Sequence, residues 1–122
     1  MTRRAHQSKR PTDTVTARET AQRLLGEDAD LPTGEELDML RLQLRWHAML
    51  LIPVLETAVQ DRPEDAPERV TAADVIAEAR ARLASEPRNT LPAEVAHAQS
   101  LSRSVLTLAD ALDSLRLVSA GP

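Results

Sequence analysis

The 122-residue sequence has no cysteine, no phenylalanine and no tyrosine, and Trp46 is its single aromatic residue. Without thiols there is no disulfide, no thiolate nucleophile and no cysteine-ligated zinc or iron–sulfur centre. One aromatic side chain excludes base-stacking platforms for single-stranded nucleic acid and aromatic sugar-binding walls. Glycine occurs only at positions 26, 34 and 121, none in a phosphate-cradling loop, so nucleotide chemistry has no support and no cofactor is expected. No apolar run approaches the ~18–20 residues of a membrane span, and no apolar stretch follows the N-terminal charges as in a secretory signal. No membrane contact is expected, and the default compartment is the cytoplasm.

What remains is a chain that is 42% hydrophobic, enough for one compact domain whose core must be built from Leu, Ala, Val, Ile and Met. Its net charge of −4 is unevenly spread. Arg3, Arg4, Lys9 and Arg10 lie in the first eleven residues with no acid among them, so the rest carries −8. Residues 1–11 read as a disordered basic tail and residues 12–122 as a single helical domain. An acidic body repels phosphate backbones, and Arg80, Arg82 and Arg88 are too few and too offset by acids to form a DNA-binding stripe.

Helix signals dominate the chain. Asp13 or Thr14 starts a first helix on Ala17, Ala21, Leu24 and Leu25, with Gly26 as its stop. Thr33 and Glu36 form a capping box ahead of a long helix. One apolar stripe of that helix reads Leu37, Leu40, Leu44, His47, Leu51, Val54 and Ala58, and a second reads Met39, Leu42, Trp46 and Met49, which implies two partners. The segment 61–68, with Pro63 and Pro67, reads as a solvent loop. Thr71 with Asp74 caps a third helix on Ala72, Ile76, Ala79 and Leu83, ending before Pro87. The last helix starts near Leu91 or Pro92 and runs on Ala98, Leu101, Val105, Leu108, Leu112 and Leu115 to Gly121. The fold class is all-α: a small bundle of about four helices with a long, Pro-kinked central helix.

Two residues resist a purely structural reading. His47 takes a stripe position among aliphatic residues. An imidazole there is either hydrogen-bonded into the bundle or held as acid, base or ligand. Pro53 interrupts Ala48 to Leu55, a run apolar on all sides, where it removes a backbone hydrogen bond. Such a run is covered by its own domain, by another chain, or borders a ligand cavity at the kink. Glu94 and His97 have the Glu-x-x-His spacing of carboxylate-bridged metal sites, but the companion ligands are missing, so no metal is expected. Ser100, Ser102 and Ser104 follow His97 without an elbow or oxyanion hole to activate them. The candidate pocket or interface is therefore Arg45, Trp46, His47, Met49, Leu50, Pro53 and His97.

The stretches Arg18-Glu19-Thr20-Ala21, Leu31-Pro32-Thr33-Gly34-Glu35-Glu36-Leu37, Leu44 through Pro53, Glu78-Ala79-Arg80 and Ser102 through Leu106 resemble a family of short, uncharacterised actinobacterial proteins labelled natural product biosynthesis protein. The resemblance implies a setting in secondary metabolism and assigns no site. The expectation is a non-enzymatic accessory or regulatory protein acting through protein–protein association, as a homo-dimer or with another protein. The alternative is a small-molecule-binding or catalytic protein with a pocket at Pro53 near His47.

Because the tail contains no apolar side chain able to dock beyond Met1 and Ala5, deleting residues 1–11 should leave the melting temperature nearly unchanged. A fall of many degrees in a thermal melt would show that the tail packs.

Overall fold

A computed structural model of the chain describes residues 14–26 and 32–120, the last three as backbone alone. It contains α1 (Thr14–Gln22), α2 (Gly34–Val59), α3 (Pro67–Ala84) and α4 (Leu91–Ala120), and no strand among the described residues. None of these helices is long and apolar enough to cross a membrane. The readings of the basic tail, of Asp13 and of the Gly121 stop lie outside the described residues.

The helix starts follow their chemistry. At α2 the Thr33 hydroxyl accepts from the Glu36 N–H at 3.2 Å while the Glu36 carboxylate accepts from the Thr33 N–H at 2.8 Å, completing the capping box. Thr90 does half of the same work for α4, accepting from the Ala93 N–H. Two sequence-based boundaries are corrected. The loop before α3 is shorter than 61–68, because Pro67 opens that helix where its missing N–H would have no partner anyway, and Thr71 and Asp74 do not cap it. The last helix starts at Leu91 as its sequence indicates, with Thr90 capping it. Gly26 does not take the left-handed stop conformation; α1 ends at Gln22 and tightens through i to i−3 bonds at Arg23 and Leu25.

Cross-helix bonds fix the directions. Thr14 meets Asp113 while Gln99 reaches the Leu24 carbonyl, so α1 runs antiparallel to α4. Arg82 meets Ser104, whereas the Pro67 end of α3 borders Ser114, so α3 is antiparallel to α4 too. The result is an up-down-up-down bundle flattened along one diagonal. α2 and α4 pack against each other over the longest contact, α1 and α3 flank the pair, and α1 does not touch α3. The core is aliphatic throughout: Leu37, Leu44, Leu51 and Leu55 of α2 face Leu101, Val105, Leu108 and Leu112 of α4, with fully buried Ala17, Ala21, Ala48, Ala72, Ala79 and Ala98 letting the helices approach closely. α2 stays helical through Pro53, which lies on its exposed side, so the carbonyl left without a donor at Met49 is on the solvent flank.

Short α1 has only nine residues and is held by more than its alanines. Arg18 spans two carboxylates, at 2.6 Å to Asp110 and 2.7 Å to Asp113, and Thr14 donates to Asp113 at 3.0 Å. The hydrogen bonds to Asp113, and then to Asp110, raise the Arg18 pKa above its ordinary value.

Removing a side chain from the α2–α4 contact should be felt in full. Leu44→Ala should lower unfolding free energy by about 2–5 kcal/mol, whereas Arg103→Ala on the exposed side of α4 should stay within about 0.5 kcal/mol, as read from urea denaturation.

Candidate functional site

The seven candidate residues do not form one pocket; α2 and α4 distribute them among four places. His47 is half-buried on the α1 side, its Nε2 3.3 Å from the Thr20 hydroxyl. That hydroxyl already donates to the Thr16 carbonyl, so His47 Nε2–H is the donor. The stripe that placed His47 among buried leucines is therefore corrected: position 47 falls at the edge of the buried face, and Val54 and Ala58 are half-buried with it.

Arg45 and His97 meet at the C-terminal end of α3. The last carbonyls of a helix lack intrahelical donors, and here two neighbouring helices supply them. Arg45 Nη1 donates to the Leu83 carbonyl at 3.0 Å from α2, and His97 Nε2 to the Arg82 carbonyl at 2.9 Å from α4. A carbonyl only accepts, so His97 carries its proton on Nε2, leaving a buried Nδ1 without a partner. Arg82 completes the cluster, donating to the Ser100 carbonyl and to the buried Ser104 hydroxyl at 3.0 Å each. In the sequence Arg82 stands out only as one of three arginines too few for a DNA-binding stripe; an arginine in the last turn of a helix was the available signal. Ser102 donates back to the Ala98 carbonyl. These groups are spent on packing and capping, and among the described residues no three His, Asp or Glu side chains converge to hold a metal ion.

Pro53 lies elsewhere, on an open groove of about 700 Å³ between α2 and α4 lined by Val54, Ala58, Leu112, Leu115 and Arg116 as well. Neither His47 nor Trp46 reaches it, so the expected pocket at Pro53 near His47 is not assembled.

Trp46 and Met49 belong to the fourth place, the outward face of α2. With Met39 and Leu42 they form a straight apolar line at 3-4-3 spacing, each more than half exposed: 57, 65, 61 and 58% for Met39, Leu42, Trp46 and Met49. Leu50 borders the line half-buried, and the Trp46 ring meets His47 edge-on at 5.7 Å. The sequence pattern already held this second stripe. Its distance from every other helix was invisible, because it follows from the flattening of the bundle. The first stripe thus packs on α4, with α1 and α3 at its edges, and the second is an open side.

Residues 15–116 match the model of DUF6415, a family of unknown function, and the chain belongs to that family. No curated protein and no solved structure matches it.

The capping cluster and His47 separate in a stability assay. Arg45→Met and His97→Ala each remove a donor from an α3 carbonyl and should lower unfolding free energy by about 1 kcal/mol. His47→Leu should hold stability within about 0.5 kcal/mol, since its contact to Thr20 is long and the ring only half-buried. Equal losses at His47 and His97 would refute this division of roles.

Proposed function

We propose that this protein acts by binding another polypeptide, as a small non-enzymatic accessory or regulatory component in the cytoplasm. The resemblance to proteins labelled for natural product biosynthesis supplies the setting, actinobacterial secondary metabolism. The observation that carries the reading is the open apolar face of α2. The only tryptophan and both methionines after Met1 lie on it. Trp and Met are the residue types enriched in the cores of protein interfaces, where charge is depleted. α4 provides the internal contrast. Over most of its length its outward side carries Arg103, Thr107, Asp110 and Ser114, all exposed, with the apolar Leu117 exposed only near its C-terminal end. α2 carries methionine, leucine and tryptophan in the equivalent place.

The groove beside Pro53 favours a second reading, the handling of an apolar small molecule. Its volume falls within the range of ligand sites. It is open along its length, and Thr57 and Arg116 are its polar walls, too few to make the convergent polar set that fixes a substrate for chemistry.

A photo-crosslinking amino acid in place of Leu42, with Arg103 replaced as control, tests the association reading in the cells that make the protein. The Leu42 position should yield a discrete protein adduct and the Arg103 position none. Absence of any adduct from Leu42 would remove the basis for this reading.

A further inference from the structure

The association reading leaves the occupant of the α2 face open. Building on that reading, we infer that the occupant is a second copy of this chain, with the two α2 helices antiparallel.

Area is the first argument. With full side-chain areas on the order of 150–250 Å², the four exposures amount to roughly 500 Å² per copy, near the upper end of the largest apolar patch on an ordinary monomer. Two such faces in contact bury on the order of 1,000 Å² before any border residue is counted, which reaches the threshold for a specific interface. Leu50 and Gln43 add to it.

Register is the second. A 3-4-3 spacing reads the same from either end, so an antiparallel copy closes the seam in matching layers. Met39 lies opposite Met49 of the partner subunit, and Leu42 opposite Trp46 of the partner subunit. The two-fold axis repeats both layers.

Charge is the third, and it selects the direction. Glu35 stands one turn before Met39 on the same face. A parallel pair would set Glu35 against Glu35 of the partner subunit and align the two helix dipoles; an antiparallel pair separates the carboxylates and opposes the dipoles. On the α1 border, Arg23 shares a depression with Glu35, Met39 and Gln43, level with the first half of the seam. Thr20 touches His47, so neighbouring Glu19 is level with the second half. The antiparallel arrangement brings Arg23 towards Glu19 of the partner subunit, and the two-fold repeats the pair.

The test is sedimentation equilibrium of the full chain at micromolar to high micromolar concentration. The wild-type protein should sediment at twice its 13.4 kDa mass. Leu42→Glu should raise the dissociation constant at least ~100-fold while keeping the helical circular dichroism spectrum, because a carboxylate on this exposed face is hydrated once the copies separate. Met49→Glu serves as the second variant. The absence of native cysteine permits a direct reading of direction. A short bis-maleimide should link Gln43→Cys chains to each other, since position 43 is beside the two-fold axis. It should not link Glu35→Cys chains, whose sites lie ~27 Å apart along antiparallel helices. A wild-type monomer at every concentration overturns the second copy; the Leu42 photo-adduct then carries a foreign mass if association stands, and is missing if that reading falls too. A dimer that survives both glutamate variants, or one that links through Glu35→Cys, overturns the seam proposed here.

Discussion

Everything in this bundle follows from the direct packing of α2 on α4. In a square four-helix bundle the diagonal helices stay apart and each is screened by two neighbours. Here the diagonal closes, because the facing layers are built from leucine and valine with alanines at 48 and 98 and no aromatic ring is available to hold the helices apart. Closing one diagonal opens the other. α1 and α3 are pushed to opposite sides, out of contact with each other. Neither can then reach round to the outward faces of the central pair. The exposure of Met39, Leu42, Trp46 and Met49 is therefore a consequence of how the core is filled, and only their identity is a matter of surface choice.

The flanking helices are weakly supplied with apolar area and rely on polar ties. A nine-residue helix is not stable alone in water, and α1 inserts little more than Ala17, Ala21 and Leu24. Arg18, gripping two carboxylates one turn apart on α4, sets its position along the bundle as well as holding it. Being partly exposed, this network supplies geometry more than stability. α3 uses the opposite device. Its apolar face is also narrow, Ala72, Ile76 and Ala79, and its C-terminal carbonyls accept from Arg45 and His97, one side chain from each central helix. Pro87 limits where that helix can end, and these tertiary contacts satisfy the carbonyls left open there.

This division explains what could be read from the chain and what could not. The capping box at Thr33 is local, two side chains three residues apart, and the sequence specifies it fully. The buried face of α4 is a long regular stripe and equally legible. The start of α3 was not, because Thr71 and Asp74 have the composition of a cap, and the decision went to Pro67, whose rigid ring suits the first turn. His47 and His97 show the limit most clearly. Both are polar residues on or beside apolar stripes, and periodicity gives no way to tell a residue at the rim of the core from one that caps a neighbouring helix. Which carbonyl His97 meets depends on where α3 ends, and the acceptor, Arg82, lies fifteen residues earlier in the chain.

The open face itself has a physical logic that stability does not capture. Trp46 and Leu42 keep well over half of their surface in water in the folded chain, so their apolar character adds little to folding. Their cost falls on solubility, and it depends on how the face can be satisfied. A patch that meets a different surface of the next molecule leaves a further patch exposed, and such contacts propagate into open assemblies. A patch that meets its own image is consumed in one step. The line on α2 has what self-closure needs: it is confined to one helix, reads alike in both directions, and is bounded by charged residues such as Glu35, Asp38 and Glu56 that resist any sideways extension. An acidic body adds long-range repulsion between pairs in the proposed assembly. In the proposed pairing, the features that make the face adhesive are also the ones that limit the assembly to two.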